Sequence, residues 1–93
     1  MLKVRDVDRA LTSKGFCEDS KRRDHCYYFF QYNGKKSNIF TKISHGETDL
    51  GKPLVSAMAK QMKLTTGQFQ EFVECALSAD KYIEILTSAQ FLR

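Results

Sequence analysis

Paired cysteines, phosphate-binding loops and membrane-length apolar runs are all missing from this chain. Its three cysteines, Cys17, Cys26 and Cys75, are odd in number and include no CxxC pair, which argues against a disulfide framework. Cys17, Cys26, His25 and His45 also lack the close ligand spacing of a tetrahedral zinc site, so no metal or other cofactor is expected. Glycine-rich phosphate loops, nucleophile elbows and paired-carboxylate motifs do not occur, which removes nucleotide hydrolysis and glycosidase chemistry from contention. No apolar run reaches spanning length, and Met1-Leu2-Lys3 leads into charged residues instead of a signal-peptide core. The expectation is a cytoplasmic protein with no membrane partner. Repeats, low-complexity tracts and long linkers are absent too. Histidine is scarce: His25 and His45 are the only two.

What the chain does have is aromatic and basic. Ninety-three residues, 42% of them hydrophobic and including seven Phe and four Tyr, suffice for one domain over 1–93, near the lower size for a self-supporting core. Charge is unevenly divided. Residues 1–63 hold thirteen Lys/Arg against seven Asp/Glu, and residues 64–93 hold two against four. A basic module followed by a mildly acidic helical tail points to a polyanionic partner for the first part.

In chain order, Asp6 is placed to cap a short helix with Val7, Ala10 and Leu11 inward. Lys14 falls in its last turn, and Gly15 sits just past it, where a left-handed residue closes a helix. Phe16 to Ser20 reads as a strand and Lys21-Arg22-Arg23-Asp24 as a charged turn. The segment 45–51 reads as a polar, flexible loop. Pro53 suits a first helical turn, followed by the stripe Val55, Met58, Ala59 and Met62. Thr65 and Gln68 have the spacing of a capping box before Phe69, Phe72, Val73 and Ala76. Ser78 can cap a last helix with Tyr82, Ile85, Leu86 and Ala89 inward. The order α-β-β-β-α plus two further helices implies an α+β fold with a three-stranded antiparallel sheet and helices on one face.

The centre of the chain is a hairpin. His25 to Tyr32 and Ser37 to Ser44 flank Asn33-Gly34-Lys35-Lys36, and Asn-Gly between aromatic and β-branched runs is a strong hairpin signal. A three-residue loop pairing Asn33 with Ser37 would set His25 opposite His45. Along the first strand, Cys26, Tyr28, Phe30 and Tyr32 share one face, and His25, Tyr27, Phe29 and Gln31 the other. Both faces therefore carry aromatics. Burial of the second face, under the C-terminal helices or a second copy of the chain, is the favoured expectation. The alternative is a platform on which unpaired bases stack.

Several motifs resemble the HicA family of RNA-cleaving toxins. Leu11-Thr12-Ser13-Lys14-Gly15-Phe16 is similar to that family's L-x-x-x-G-F close of its first helix. His25 before an aromatic strand is similar to its histidine-bearing strand. Thr41 to Gly46 is similar to the end of its next strand, where a second histidine often occurs. Lys60-Gln61-Met62-Lys63-Leu64-Thr65 is similar to its K-Q-x-x-L-[ST] motif. The likeness covers 4–72, with 73–93 as a helical extension. It implies a fold like the double-stranded-RNA-binding domain, metal-independent endoribonuclease activity on messenger RNA and inhibition by a cognate antitoxin protein. It also implies that His25 is catalytic. The chain departs from the family at Arg23-Asp24, where a small pair such as Gly-Ser is usual. A carboxylate beside a histidine raises its pKa and repels phosphate.

Metal-free RNA cleavage needs a base for the ribose 2′-hydroxyl, an acid for the departing 5′-oxygen and cations for the phosphorane. His25 is the candidate base, His45 the candidate acid and Lys42 the charge stabiliser. Arg22, Arg23, Lys35, Lys36 and Lys52 are candidate RNA-backbone contacts. Each has an ordinary counterpart. A histidine at a strand end is commonly a plain surface residue, and a Lys-Lys hairpin tip commonly serves solubility. Two rival functions stand beside the ribonuclease: a non-catalytic RNA-binding module of the same fold, and an interaction domain whose aromatic face forms a homodimer or docks a protein.

Overall fold

The computed structural model describes residues 2–19, 25–44, 49–74 and 76–91. Its elements are β1 (Leu2–Lys3), α1 (Val4–Ser13), β2 (Phe16–Asp19), β3 (His25–Tyr32), β4 (Lys35–Ser44), β5 (Asp49–Leu50), α2 (Lys52–Gln61), α3 (Thr66–Val73) and α4 (Ala79–Ser88). The fold is α+β. An antiparallel sheet in the order β2-β3-β4 carries the four helices on one face, and β1 and β5 form a separate two-stranded ribbon. That ribbon replaces part of the expected flexible loop: Asp49 pairs with Lys3, and Leu50 is buried.

Local chemistry explains the helix ends. The α3 start is a complete capping box, with Thr65 Oγ accepting from the Gln68 amide and Gln68 Oε1 from the Thr65 amide. Ser78 accepts from the Lys81 amide at the start of α4. Gly51 caps α2 and Pro53 lies in its first turn. Asp6 is not the cap of α1. The helix starts three residues earlier, behind Lys3, and Asp6 lies in its first turn, bonded to Arg9 at 3.0 Å. There the carboxylate still complements the helix dipole. Gly15 follows α1 with φ +106°, and a Cβ there would lie 2.9 Å from the Phe30 ring. Glycine is required on both counts.

The hairpin loop is Asn33-Gly34 alone, with φ of 53° and 75°. Two consecutive positive φ values describe a type I′ turn, whose twist matches that of the strands. The expected three-residue loop is thus corrected to two residues, with Tyr32 opposite Lys35 and Gln31 opposite Lys36. Continued without interruption, that register would set His25 against Lys42. A bulge between the Phe29 and Gln31 rungs inserts two extra residues on β4, so Phe29 meets Phe40 and His25 meets Ser44. Inside the bulge the Ser37 hydroxyl accepts from the Ile39 amide at 3.1 Å. An insertion of two preserves the in/out alternation, since side chains repeat every second residue.

The core lies between the sheet and the helices. Phe16, Tyr28, Phe30, Ile39, Thr41 and Ile43 point from the strands toward Val7, Leu11, Met58, Phe69, Phe72, Tyr82 and Leu86. Phe16, Phe30, Phe72 and Tyr82 form an aromatic cluster with centroids 5.1–6.2 Å apart. The last helix is therefore an integral part of this core. Its inward residues are Tyr82 and Leu86, with Ile83 and Ile85 partly buried; Ala89, expected inward, is exposed at the C-cap. Ala76 is likewise exposed, because α3 ends at Val73.

One long-range strut joins the two ends of the chain. Lys14 Nζ donates to the carbonyls of Phe72, at 2.5 Å, and Leu77, at 2.8 Å, and lies 4.8 Å from the Phe72 ring centroid. An ammonium at the end of α3 satisfies carbonyls the helix leaves open and complements its dipole.

Candidate nucleic-acid interface

All four helices bear on the same side of the sheet. Asp8 of α1 accepts from Tyr28 Oη, Gln61 of α2 accepts from Thr41, and Phe72 and Tyr82 of α3 and α4 meet Phe16 and Phe30. The opposite face, where burial beneath the C-terminal helices or a second copy of the chain was expected, is not covered by those helices. Residues with that orientation on β3 and β4 remain half-buried, as Tyr27 and Phe29 are, or exposed, as Gln31, Phe40 and Lys42 are.

The rungs of the ladder dictate how these residues meet. Tyr27 faces Lys42, and Phe29 faces Phe40. Three rings consequently form a triangle: Tyr27–Phe29 at 6.4 Å, Tyr27–Phe40 at 6.2 Å and Phe29–Phe40 at 6.0 Å between centroids. Their planes lie within 34° of one another. Lys36 Nζ sits 4.4 Å from the Phe29 centroid, on its π face. Exposed cation–π contacts of this kind are worth about 0.5–1 kcal/mol. Phe40 is 37% exposed, one of three large apolar side chains so exposed among the described residues. At the bulge of β4, a shallow groove is lined by Lys36, Ser37, Asn38, Ile39, Lys63, Gln90 and Phe91, and so takes in residues of both strand parities. Lys63 lies 5.3 Å from the Phe91 centroid, repeating the pairing of ammonium and ring.

Of the residues singled out in the sequence, Lys36 belongs to this face, Lys42 has its strand parity but also lines a cleft with Leu50, Leu54, Met58 and Gln61 on the helical side, and Lys35 stands exposed beside the turn. Lys52 does not join them: it opens α2 and lines a pocket on the helical side with Leu2, Leu50, Val55, Gln70 and Glu74. His25 opens β3 with its backbone opposite Ser44, so the expected His25–His45 rung is displaced by one residue. His45, Arg22 and Arg23 lie outside the described residues, as does the side chain of His25. Phe40 and the Lys63–Phe91 pair were not singled out. Phe40 had a usable signal, since it has the same strand parity as Lys42. Lys63 and Phe91 had none, being 28 positions apart and joined only by the fold.

The helical side is chemically different. Burial, and after it the hydrogen bond to Asp8, pushes the Tyr28 phenol far above its ordinary value. Burial also raises the Cys26 thiol, reinforced by the charge and hydrogen bond of Glu18 and by the charge of Asp8. A thiol held in its neutral form is a poor nucleophile, so Cys26 is not a candidate for covalent catalysis. Among the described residues, no group of three or more His, Cys, Asp or Glu is arranged to hold a metal ion. Nor is any described helix long and apolar enough to cross a membrane. Comparison with protein-family models, curated proteins and solved structures gives no match to this chain.

Proposed function

We propose that this chain is a HicA-like ribonuclease domain, arranged like a double-stranded-RNA-binding domain, that cuts RNA without a metal ion. The observation that carries the reading is the β3–β4 register. Ser44 lies opposite His25 and His45, which is outside the described residues, is the next residue in the chain, and this supports a site that draws on both histidines. Lys42 is two rungs away, opposite Tyr27. The order α1-β2-β3-β4-α2, with its helices on one side of the sheet, supports the same reading.

In this mechanism His25 takes the proton of a ribose 2′-hydroxyl as its oxygen attacks the adjacent phosphorus. Lys42 offsets the charge that accumulates on the phosphorane oxygens, an interaction strongest in the transition state. The bond to the 5′-oxygen then breaks and His45 protonates it. The products are a 2′,3′-cyclic phosphate and a 5′-hydroxyl. A cognate antitoxin protein would control such an activity.

The test is cleavage of a long unstructured RNA by purified protein in excess EDTA, with wild type beside His25→Ala. The expected result is cutting by wild type alone, leaving cyclic-phosphate ends. Equal cutting by both overturns the assignment of His25. Salt-sensitive binding without cutting by either favours the non-catalytic RNA-binding module.

A further inference from the structure

We infer that the helix-free face of the sheet is a stacking platform for single-stranded RNA, with Tyr27, Phe29 and Phe40 receiving base faces and Lys36 and Lys42 holding the flanking phosphates. This deepens the ribonuclease reading and rests on it for the choice of RNA.

Three observations meet here. The rings are mutual neighbours with planes within 34°, so together they present one aromatic surface and not three separate residues. Lys36 lies over the Phe29 ring at 4.4 Å, so a base stacking there takes the place of the ammonium, while Phe40 stands exposed. A ring whose face attracts an ammonium is also suited to a base stacked beside a lysine-bound phosphate. Finally, the cations on this face outnumber the one carboxylate residue that shares its parity, Asp19, the rung partner of Tyr27. Lys36 and Lys42 lie along β4, while Asp8 and Glu18 bear on Cys26 and Tyr28, which belong to the other strand parity.

That charge pattern selects the occupant. An apolar protein surface would leave the two ammonium groups without partners in the contact. A polyanion with flat apolar groups matches both features. Base pairing would hide the base faces inside the duplex stack, so the platform suits an unpaired strand. Two features bracket the strand's proposed path. His25 and Ser44 lie at one end, two rungs beyond Lys42 and Tyr27. The groove with Lys63 and Phe91 continues from Lys36 at the other. A strand stacked on the rings would present the phosphates on its His25 side to the cleavage centre.

The test uses His25→Ala protein, so that RNA is bound and not cut, and a fluorescein-labelled 12-nucleotide CA repeat, alone or annealed to its complement. The single strand should bind more tightly than the duplex. Phe40→Leu, which keeps apolar bulk but removes the π face, should weaken binding about tenfold, and Phe40→Trp should retain it. Lys36→Gln and Lys42→Gln should each reduce the slope of log K against log salt by about 0.7, as expected for one lost phosphate contact on a single strand. Lys81→Gln, on the far side of the molecule beside Glu84, should leave the slope unchanged.

Equal affinity for strand and duplex, or indifference to Phe40→Leu, overturns the platform. So does a stable dimer that Phe40→Glu dissociates and that binds no oligonucleotide. The two readings fail separately. His25-dependent cleavage with a KM unmoved by Phe40→Leu removes the platform and leaves the ribonuclease. Ring-dependent binding without cleavage removes the ribonuclease and leaves the platform.

Discussion

Tyr82→Phe should uncouple a single buried hydroxyl from the fold at measurable cost. Tyr82 is fully buried against Phe16, Phe30 and Phe72, and its Oη donates to the Met62 carbonyl at 2.8 Å. Phenylalanine keeps the ring contacts and deletes only that bond, leaving a carbonyl at the end of α2 short of a donor. The expected cost at neutral pH is about 1–3 kcal/mol. Alkaline pH then gives an independent check. Burial holds the Tyr82 phenol well above its ordinary value, so the native state keeps a proton that the unfolded chain releases near pH 10. A group whose folded pKa is raised contributes fully below the unfolded pKa and loses that contribution as pH rises toward the folded one. Wild type should therefore lose about 1.4 kcal/mol per pH unit above pH 10 through this residue alone, and the variant should not. Urea unfolding at pH 7, 9, 10 and 11 would show the stability gap constant to pH 9 and closing above pH 10. A gap that stays parallel to pH 11 would mean that the phenol ionises within the native fold, and the buried placement would be wrong. No gap at pH 7 would mean that the Met62 bond contributes nothing.

Lys14→Met should lower stability by about 1.5–3 kcal/mol, the range for a hydrogen bond to a charged group, because two carbonyls near the end of α3 lose their donor; chemical denaturation measures it, and a loss within 0.5 kcal/mol of zero would refute the strut. Gly15→Ala should cost more than about 1 kcal/mol, since both the positive φ and the Phe30 ring oppose a methyl group; an unchanged melting temperature would sink that argument. Thr65→Ala should cost about 1 kcal/mol through the lost capping box, and hydrogen exchange should rise first at the Gln68 amide. Phe40→Leu, on the open face, should change stability by less than about 0.5 kcal/mol, so that any loss of RNA binding is read as a binding effect.

Most features set by neighbouring residues were legible in the sequence, the cap of α1 and the length of the hairpin loop being the exceptions. The capping box at Thr65, the Ser78 cap, the closing Gly15 and the Asn33-Gly34 turn each depend on two to four adjacent positions, and each is present. What escaped depends on distant partners. The ribbon of Leu2–Lys3 with Asp49–Leu50 is two residues deep, too short to show a period of two. The bulge between Phe29 and Gln31 leaves the turn intact and shifts only the far rungs, so the Asn-Gly signal could not reveal it. Lys14 looked like a residue of its own helix, yet it bonds carbonyls 58 and 63 positions away. The orientation of the sheet was ambiguous because β3 carries aromatics on both parities, and hydrophobic alternation then gives no direction. The strand positions of Lys42 and His25 were readable, whereas the exposure of Phe40 required knowing which face the helices take.

That last point bears on what the open face is for. A three-stranded sheet beneath four helices needs only one apolar side. Here that side is filled by Phe16, Tyr28, Phe30, Ile39, Thr41 and Ile43, each no more than 5% exposed. The rings of Tyr27, Phe29 and Phe40 add nothing to that layer, and an exposed aromatic cluster is a standing liability for solubility. Serine, threonine or glutamate would serve an idle surface better. Lys36, over the Phe29 ring, tempers the liability without removing it, because Phe40 is still 37% exposed. Core packing therefore accounts for one face of the sheet and leaves the other unexplained. A ligand that brings its own flat rings and its own negative charge accounts for both the aromatics and the lysines at once.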